Sequence, residues 1–145
     1  MIRVFLDANV LFSAALRPRD RDYAFFRLAR EGGCILLASA YALDEARTNL
    51  AGKAPTAPPR LDDELVGLLE LVAEPVATLV ALASAEGLPM KDAPILAAAV
   101  AAGADLLVTG ARRHFGGLFG RTVHGVRIRS LADGLAELLA TVNRE

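Results

Sequence analysis

Asp7 closes the first apolar run of the chain, in which Ile2, Val4, Phe5 and Leu6 lead directly into Asp7-Ala8-Asn9. β-prone residues followed at once by a carboxylate describe a buried strand whose C-terminal end presents an acid. In open α/β sheets, ligands and chemistry collect at that edge. Two further acids can reach it. Glu45 sits in a helical segment on the side away from Leu43, Ala46 and Leu50, together with Tyr41 and Thr48. Asp92 stands in Lys91-Asp92-Ala93-Pro94, at the head of an alanine-rich helical stretch. An oxygen-only set of this kind suits Mg2+ or Mn2+, which take carboxylates plus water. Such an ion polarises a phosphoryl oxygen and lowers the pKa of a bound water.

Each acid also has a purely structural reading. Asp7 could cap a short helix starting near Asn9, and Asn9 and Ser13 could serve the same local purpose. Glu45 could lie on a solvated helix face, as its neighbour Asp44 does. Asp92, two residues before Pro94, has the form of an N-cap. Asp105 begins a strand, at the opposite edge from Asp7, and reads as structural. No other chemistry competes: the chain has no glycine-rich phosphate loop, no Gly-x-Ser-x-Gly elbow and no histidine pair at metal spacing. His114 and His124 are isolated, and His114 reads as a surface or substrate-side residue. The single cysteine, Cys34, precedes Ile35, Leu36 and Leu37 and reads as a small core residue.

The elements that must position these acids follow from periodicity and punctuation. Strands are expected at 2–6, 35–38, 105–109 and 125–130, the last at a more exposed edge. Helices are expected at 39–50 with Ser39 as N-cap, 61–71, 76–86, 92–103 and 131–141. Pro55, Pro58 and Pro59 end the first of these helices, in a linker too short to separate two domains. Strands alternating with helices indicate parallel βαβ units. The expected architecture is α/β: a three-layer α/β/α sandwich around a central parallel sheet of about four or five strands, as one domain over 1–145. On that topology Asp7, Glu45 and Asp92 converge at one sheet edge.

The composition narrows the function further. With 145 residues the chain can build a full core, and a hydrophobic content of 54% excludes a disordered chain. The formal net charge is −1, so no global positive field advertises a polyanion partner. Any such partner must be held by local basic clusters or a metal. Arg112-Arg113-His114 follows the 105–109 strand at the same edge as the acids, and Arg17, Arg19 and Arg21 form a second cluster. Both could neutralise a nucleic-acid backbone, and both could equally be solvated turns. No stretch approaches the ~18 apolar residues of a membrane span, so no membrane is expected. The apolar N-terminus carries Asp7 and no cleavage-like site, which points to the cytoplasm.

Taken in order, Val4-Phe5-Leu6-Asp7-Ala8-Asn9-Val10, Ser39 followed by Glu45, Lys91-Asp92-Ala93-Pro94-Ile95-Leu96, and Gly103-Ala104-Asp105-Leu106-Leu107-Val108-Thr109-Gly110 resemble the motifs of the PIN domain. The resemblance covers nearly the whole chain. It implies a metal-dependent endoribonuclease, the toxin of a toxin–antitoxin pair, that cleaves RNA phosphodiesters by metal-activated water. By position, Asp7, Glu45 and Asp92 match the family's first three metal-site acids. Asn9 and Ser13 match polar positions that support the first acid, and Thr109 matches the hydroxyl ending the strand before the fourth acidic position. At that fourth position this chain has Ala111. The implied partners are RNA, an antitoxin protein and further copies of the chain. Two other readings remain open. One is a catalytically weakened PIN-like module that binds RNA or protein, as Ala111 would suit. The other is a phosphatase of the haloacid-dehalogenase kind, which wants an aspartate where this chain has Asn9.

Overall fold

The computed structural model describes residues 1–144. Its centre is a six-stranded sheet, with β1 (Arg3–Leu6), β2 (Ile35–Ser39), β3 (Leu69–Val72), β4 (Leu106–Val108), β5 (Thr122–Val123) and β6 (Val126–Arg129) in the order β3-β2-β1-β4-β6-β5. All neighbouring pairs are parallel except β5 and β6, which form an antiparallel hairpin. β1 and β4 are buried almost throughout, as strands covered on both faces must be.

The helices are α1 (Ala8–Leu16), α2 (Arg21–Arg30), α3 (Ala40–Lys53), α4 (Ala77–Ser84), α5 (Ala93–Ala101), α6 (Arg112–Phe115) and α7 (Leu131–Arg144). The β1-to-β2 connection runs one way along the sheet and the β3-to-β4 connection runs back. Right-handed crossovers therefore place α1 and α2 on one face and α4 and α5 on the other. α7 returns to the α1–α2 face. A Cβ at Gly134 would stand 2.8 Å from Val108 Cγ2, so only glycine lets α7 lie this close on β4.

The sheet is larger than expected, and β5 makes it not wholly parallel. The 61–71 segment is helical only to Leu68, as a π-helical turn (Leu61–Leu65) and a 3-10 turn (Val66–Leu68), and then becomes β3. Leu69 to Val72 gain a full register with β2, from Leu36 opposite Leu69 to Ser39 opposite Val72. That tertiary pairing overrides a local preference for helix. β6 is not an edge, because the two-residue β5 covers its outer side. α2 has no counterpart among the expected elements, because its exposed Arg21, Arg27 and Arg30 mask the buried pair Phe25 and Phe26.

Strand order reverses between β1 and β4. Crevices at such switch points, at the C-terminal ends of parallel strands, are where this class of sheet binds ligands. Asp7 and Thr109 are the residues that immediately follow these two strands.

Candidate active site

Asp7 does two jobs at the β1–α1 junction. Its backbone is extended (φ −70°, ψ 160°), and Oδ1 accepts from the Ala8 N–H at 2.7 Å, so it is the N-cap of α1. Oδ2 accepts from the Thr109 hydroxyl at 2.8 Å and from Asn9 Nδ2 at 3.3 Å. The structural and functional readings of Asp7 thus coexist. The residue is only 3% exposed. Burial pushes its carboxyl up to about 6, opposed by the Thr109 and Ala8 hydrogen bonds and reinforced by the charges of Asp92 and Glu45.

Thr109 and Asn9 fasten the two switch-point strands together. The Thr109 hydroxyl also accepts from the Ala111 N–H at 3.0 Å, and Asn9 Oδ1 accepts from the Gly110 N–H at 2.9 Å. Ser13 lies elsewhere: its hydroxyl faces Asp22, whose charged form it favours, and it has no hydrogen bond to Asp7.

Asp92 occupies the N-cap position of α5, but its side chain makes no capping hydrogen bond. The cause is local. Its backbone is already helical (φ −98°, ψ −20°), whereas a capping side chain needs an extended backbone to reach the first N–H groups. Pro94 in the first turn removes one of those donors in any case. The Asp92 carboxylate is therefore released, and Oδ2 is buried without a hydrogen-bond partner. His114 Nδ1 lies 2.9 Å from that oxygen, an ion-pair contact that does not meet hydrogen-bond geometry. Burial holds Asp92 above the usual carboxylate range, with His114 and Lys91 pulling the other way.

Glu45 projects from α3, which Ser39 caps by accepting from the Ala42 N–H at 3.2 Å. It is half-buried and lines an open groove of about 340 Å3 with Tyr41, Asp44, Thr48 and Asn49. Asp44 is spent on Arg47, 3.4 Å away one turn on. Tyr41, which the sequence places on the Glu45 face of the helix without a role, has one here. Its hydroxyl donates to the Lys91 carbonyl at 2.7 Å, tying the Glu45 helix to the residue before Asp92. Burial and the charges of Glu45, Asp92, Asp7 and Glu74 raise its phenol, which therefore stays protonated and donating. The available signal was its i, i+4 spacing from Glu45 on one helix face.

Asp7, Asp92 and Glu45 thus share one electrostatic neighbourhood. Among the described residues, however, no three Asp, Glu, His or Cys side chains are gathered tightly enough to form a ligand cage by themselves. The donors still fit a hard divalent cation. They are oxygen-only, and one buried carboxylate oxygen lacks a hydrogen-bond donor.

Arg112 and Arg113 are exposed at the start of α6 and, among the described residues, have no carboxylate within ion-pair distance. His114, expected at the surface or on the substrate side, is partly exposed and rests on Asp92. Arg17, Arg19 and Arg21 are exposed. Asp105 is structural, its Oδ2 accepting from the Arg3 N–H at 2.9 Å. Cys34 is buried, and burial pushes its thiol up to about 11, which leaves it unreactive.

The PIN domain profile matches residues 3–113, and the chain belongs to that family, whose members are nucleases. Solved structures agree on the fold. PAE2754 from Pyrobaculum aerophilum is 18% identical, with 96% of each chain covered and a TM-score of 0.65. VapBC2 from Rickettsia felis, solved bound to a DNA fragment from its promoter, is 18% identical over 89% of this chain and 98% of that chain, with a TM-score of 0.66. FitAcB from Neisseria gonorrhoeae is 23% identical over 89% and 98%, with a TM-score of 0.58. A comparison with curated proteins gives no significant match. No helix among the described residues is long and apolar enough to cross a membrane.

Proposed function

We propose that this PIN domain is a metal-dependent endoribonuclease that acts as the toxin of a toxin–antitoxin pair. The observation that carries the reading is Asp92: a buried carboxylate released from its capping role, with Oδ2 lacking a hydrogen-bond donor beside two further acids. Asp7, Glu45 and Asp92 would hold Mg2+ or Mn2+. Bound there, the ion would supply an activated water and stabilise charge developing on an RNA phosphate. Thr109 and Asn9 fix the Asp7 carboxylate, so one ligand is oriented in advance. Tyr41 fixes the Lys91–Asp92 turn against the Glu45 helix. Arg112 and Arg113 would neutralise the RNA backbone approaching the acidic crevice.

The toxin assignment rests on the length and fold shared with VapBC2 and FitAcB, each of which is a two-component assembly by its name. An antitoxin, or a second copy of the chain, would cover exposed apolar residues such as Leu71, Val76, Leu82 and Met90. The cytoplasm is where such a toxin meets RNA. Ala111 and the seat of His114 on Asp92 favour the second reading, a weakened RNA- or protein-binding module. Cleavage of a labelled RNA with Mg2+ or Mn2+, with and without EDTA, decides between them. The nuclease cleaves only with metal. Persistent cleavage in EDTA excludes the metal mechanism, and no cleavage in either condition leaves the binding module.

A further inference from the structure

A second cavity adjoins the site on the far side of the Thr109–Gly110 turn. It encloses about 400 Å3 between the ends of β4 and β6 and the start of α2. That volume lies within the roughly 300–1,000 Å3 range of small-ligand pockets. Thr109 and Gly110 form the shared wall, so a ligand in the cavity sits one short step from Asp7.

The lining carries both signs of charge, separated in role. Arg21 and Arg112 enter from α2 and α6, and among the described residues neither has a carboxylate partner. Their guanidiniums line the same cavity and offer the forked donors that suit a phosphate; the buried Asp22 lines it too, with its carboxyl facing the Ser13 hydroxyl. Asp20, at the rim, is exposed and its side chain makes no capping hydrogen bond on α2, which leaves a free acceptor. Ser130 is already committed to capping the Asp133 N–H at 3.2 Å. Arginines with a free carboxylate beside them describe something more particular than an anion site. They suit a group that is anionic at one end and carries hydroxyl donors at the other, which is a sugar phosphate. A carboxylate accepting from a ribose 2′-hydroxyl is also the contact that separates RNA from DNA.

We propose that this cavity is a ribonucleotide subsite in which Arg21 and Arg112 hold the backbone phosphate adjoining the scissile one and Asp20 accepts from the ribose 2′-hydroxyl. The inference rests on the RNA-nuclease reading, because it supplies that reaction with its sugar selectivity.

The test uses the full chain in EDTA with a nucleoside 3′,5′-bisphosphate and its 2′-deoxy counterpart, neither of which has a diester to cleave. Binding is measured by calorimetry. The ribose form should bind, and Arg21→Ala and Arg112→Ala should each weaken it by about tenfold, as expected for a lost charge-assisted pair. The deoxy form should bind several-fold more weakly, and Asp20→Ala should erase that difference. Unchanged melting temperatures for these exposed substitutions exclude a folding effect. Absent binding, or binding indifferent to both arginines, overturns the subsite. Inorganic phosphate bound as tightly as the bisphosphate reduces the cavity to an anion site and overturns the nucleotide assignment. Equal affinity for the two sugars overturns the role of Asp20. Because no bond is cleaved, these outcomes are independent of the EDTA-sensitive cleavage that tests the nuclease reading.

Discussion

The two edges of the sheet treat their acids in opposite ways. At the N-terminal edge Asp105 and Arg3 are both answered. Asp105 accepts from the Arg3 N–H, and the Arg3 guanidinium reaches both Glu70 at 3.1 Å and the Ala102 carbonyl at 3.1 Å. At the C-terminal edge charges are left over. Asp7 is buried with its carboxyl raised, Asp92 Oδ2 meets only the His114 ring at 2.9 Å without hydrogen-bond geometry, and no cation among the described residues pairs with Glu45. Answered polar groups hold a fold together, whereas like charges gathered at a buried rim cost stability and mark a site that serves something else.

The sharpest way to break this contrast is to neutralise one aspartate from each edge. Asp92→Asn should lower metal-dependent RNA cleavage by at least about 100-fold, because it removes a charged ligand while keeping the shape. Its melting temperature should not fall, since no capping bond is lost. Asp105→Ala should leave cleavage within about twofold and lower stability by about 1–2 kcal/mol, the cost of an unanswered N–H. Cleavage that survives Asp92→Asn returns Asp92 to a structural role.

Asp7 sharpens the contrast through pH. In the metal-free protein its carboxyl titrates near 6, against an ordinary value of 3.8. The folded chain therefore holds this proton more tightly than the unfolded chain. The resulting stabilisation is complete below about pH 4 and is lost as pH rises through about 6. A shift of this size is worth up to about 3 kcal/mol. Urea titrations in EDTA should show wild-type stability falling across that window, and Asp7→Asn should flatten the fall and be the more stable protein at pH 8. A wild-type curve that rises across the same window contradicts the assignment.

Smaller effects are expected at the residues that frame the acids. Tyr41→Phe deletes the hydroxyl held by the Lys91 carbonyl. It should weaken Mn2+ binding by about three- to tenfold in calorimetry, with at most about 1 kcal/mol lost in stability. Unaltered Mn2+ affinity would mean that the Glu45–Asp92 arrangement does not depend on this bond. Smallest of all, Ala111→Asp places a carboxylate at the N-cap of α6, next to Thr109, whose hydroxyl takes the Ala111 N–H. Mn2+ should bind a few-fold more tightly, with faster cleavage at low metal. A folded variant with neither change puts residue 111 outside the metal site.

The sequence by itself determined the parts of this protein that depend on local pattern. The apolar runs ending at Leu6 and Val108, the Ser39 cap of α3 and the Ala-rich α5 behind Asp92 are legible because strand burial and helix initiation are written within a few residues. The gathering of Asp7 and Thr109 at one edge follows from the βαβ order alone. Tertiary structure decided what depends on partners distant in the chain. Residues 69–72 became a strand because β2 offered an open edge, and β6 became internal because β5 folded over it. Asp92 was freed by its own backbone angles, while His114 reached it from 22 residues on. The Tyr41–Lys91 bond, and the cavity that Arg21 and Arg112 both line, likewise join segments that share no local signal. Spacing along one helix or strand records which face a side chain takes. Which charges stay unanswered is set only when separate elements close on one another, and that decides where this molecule can do chemistry.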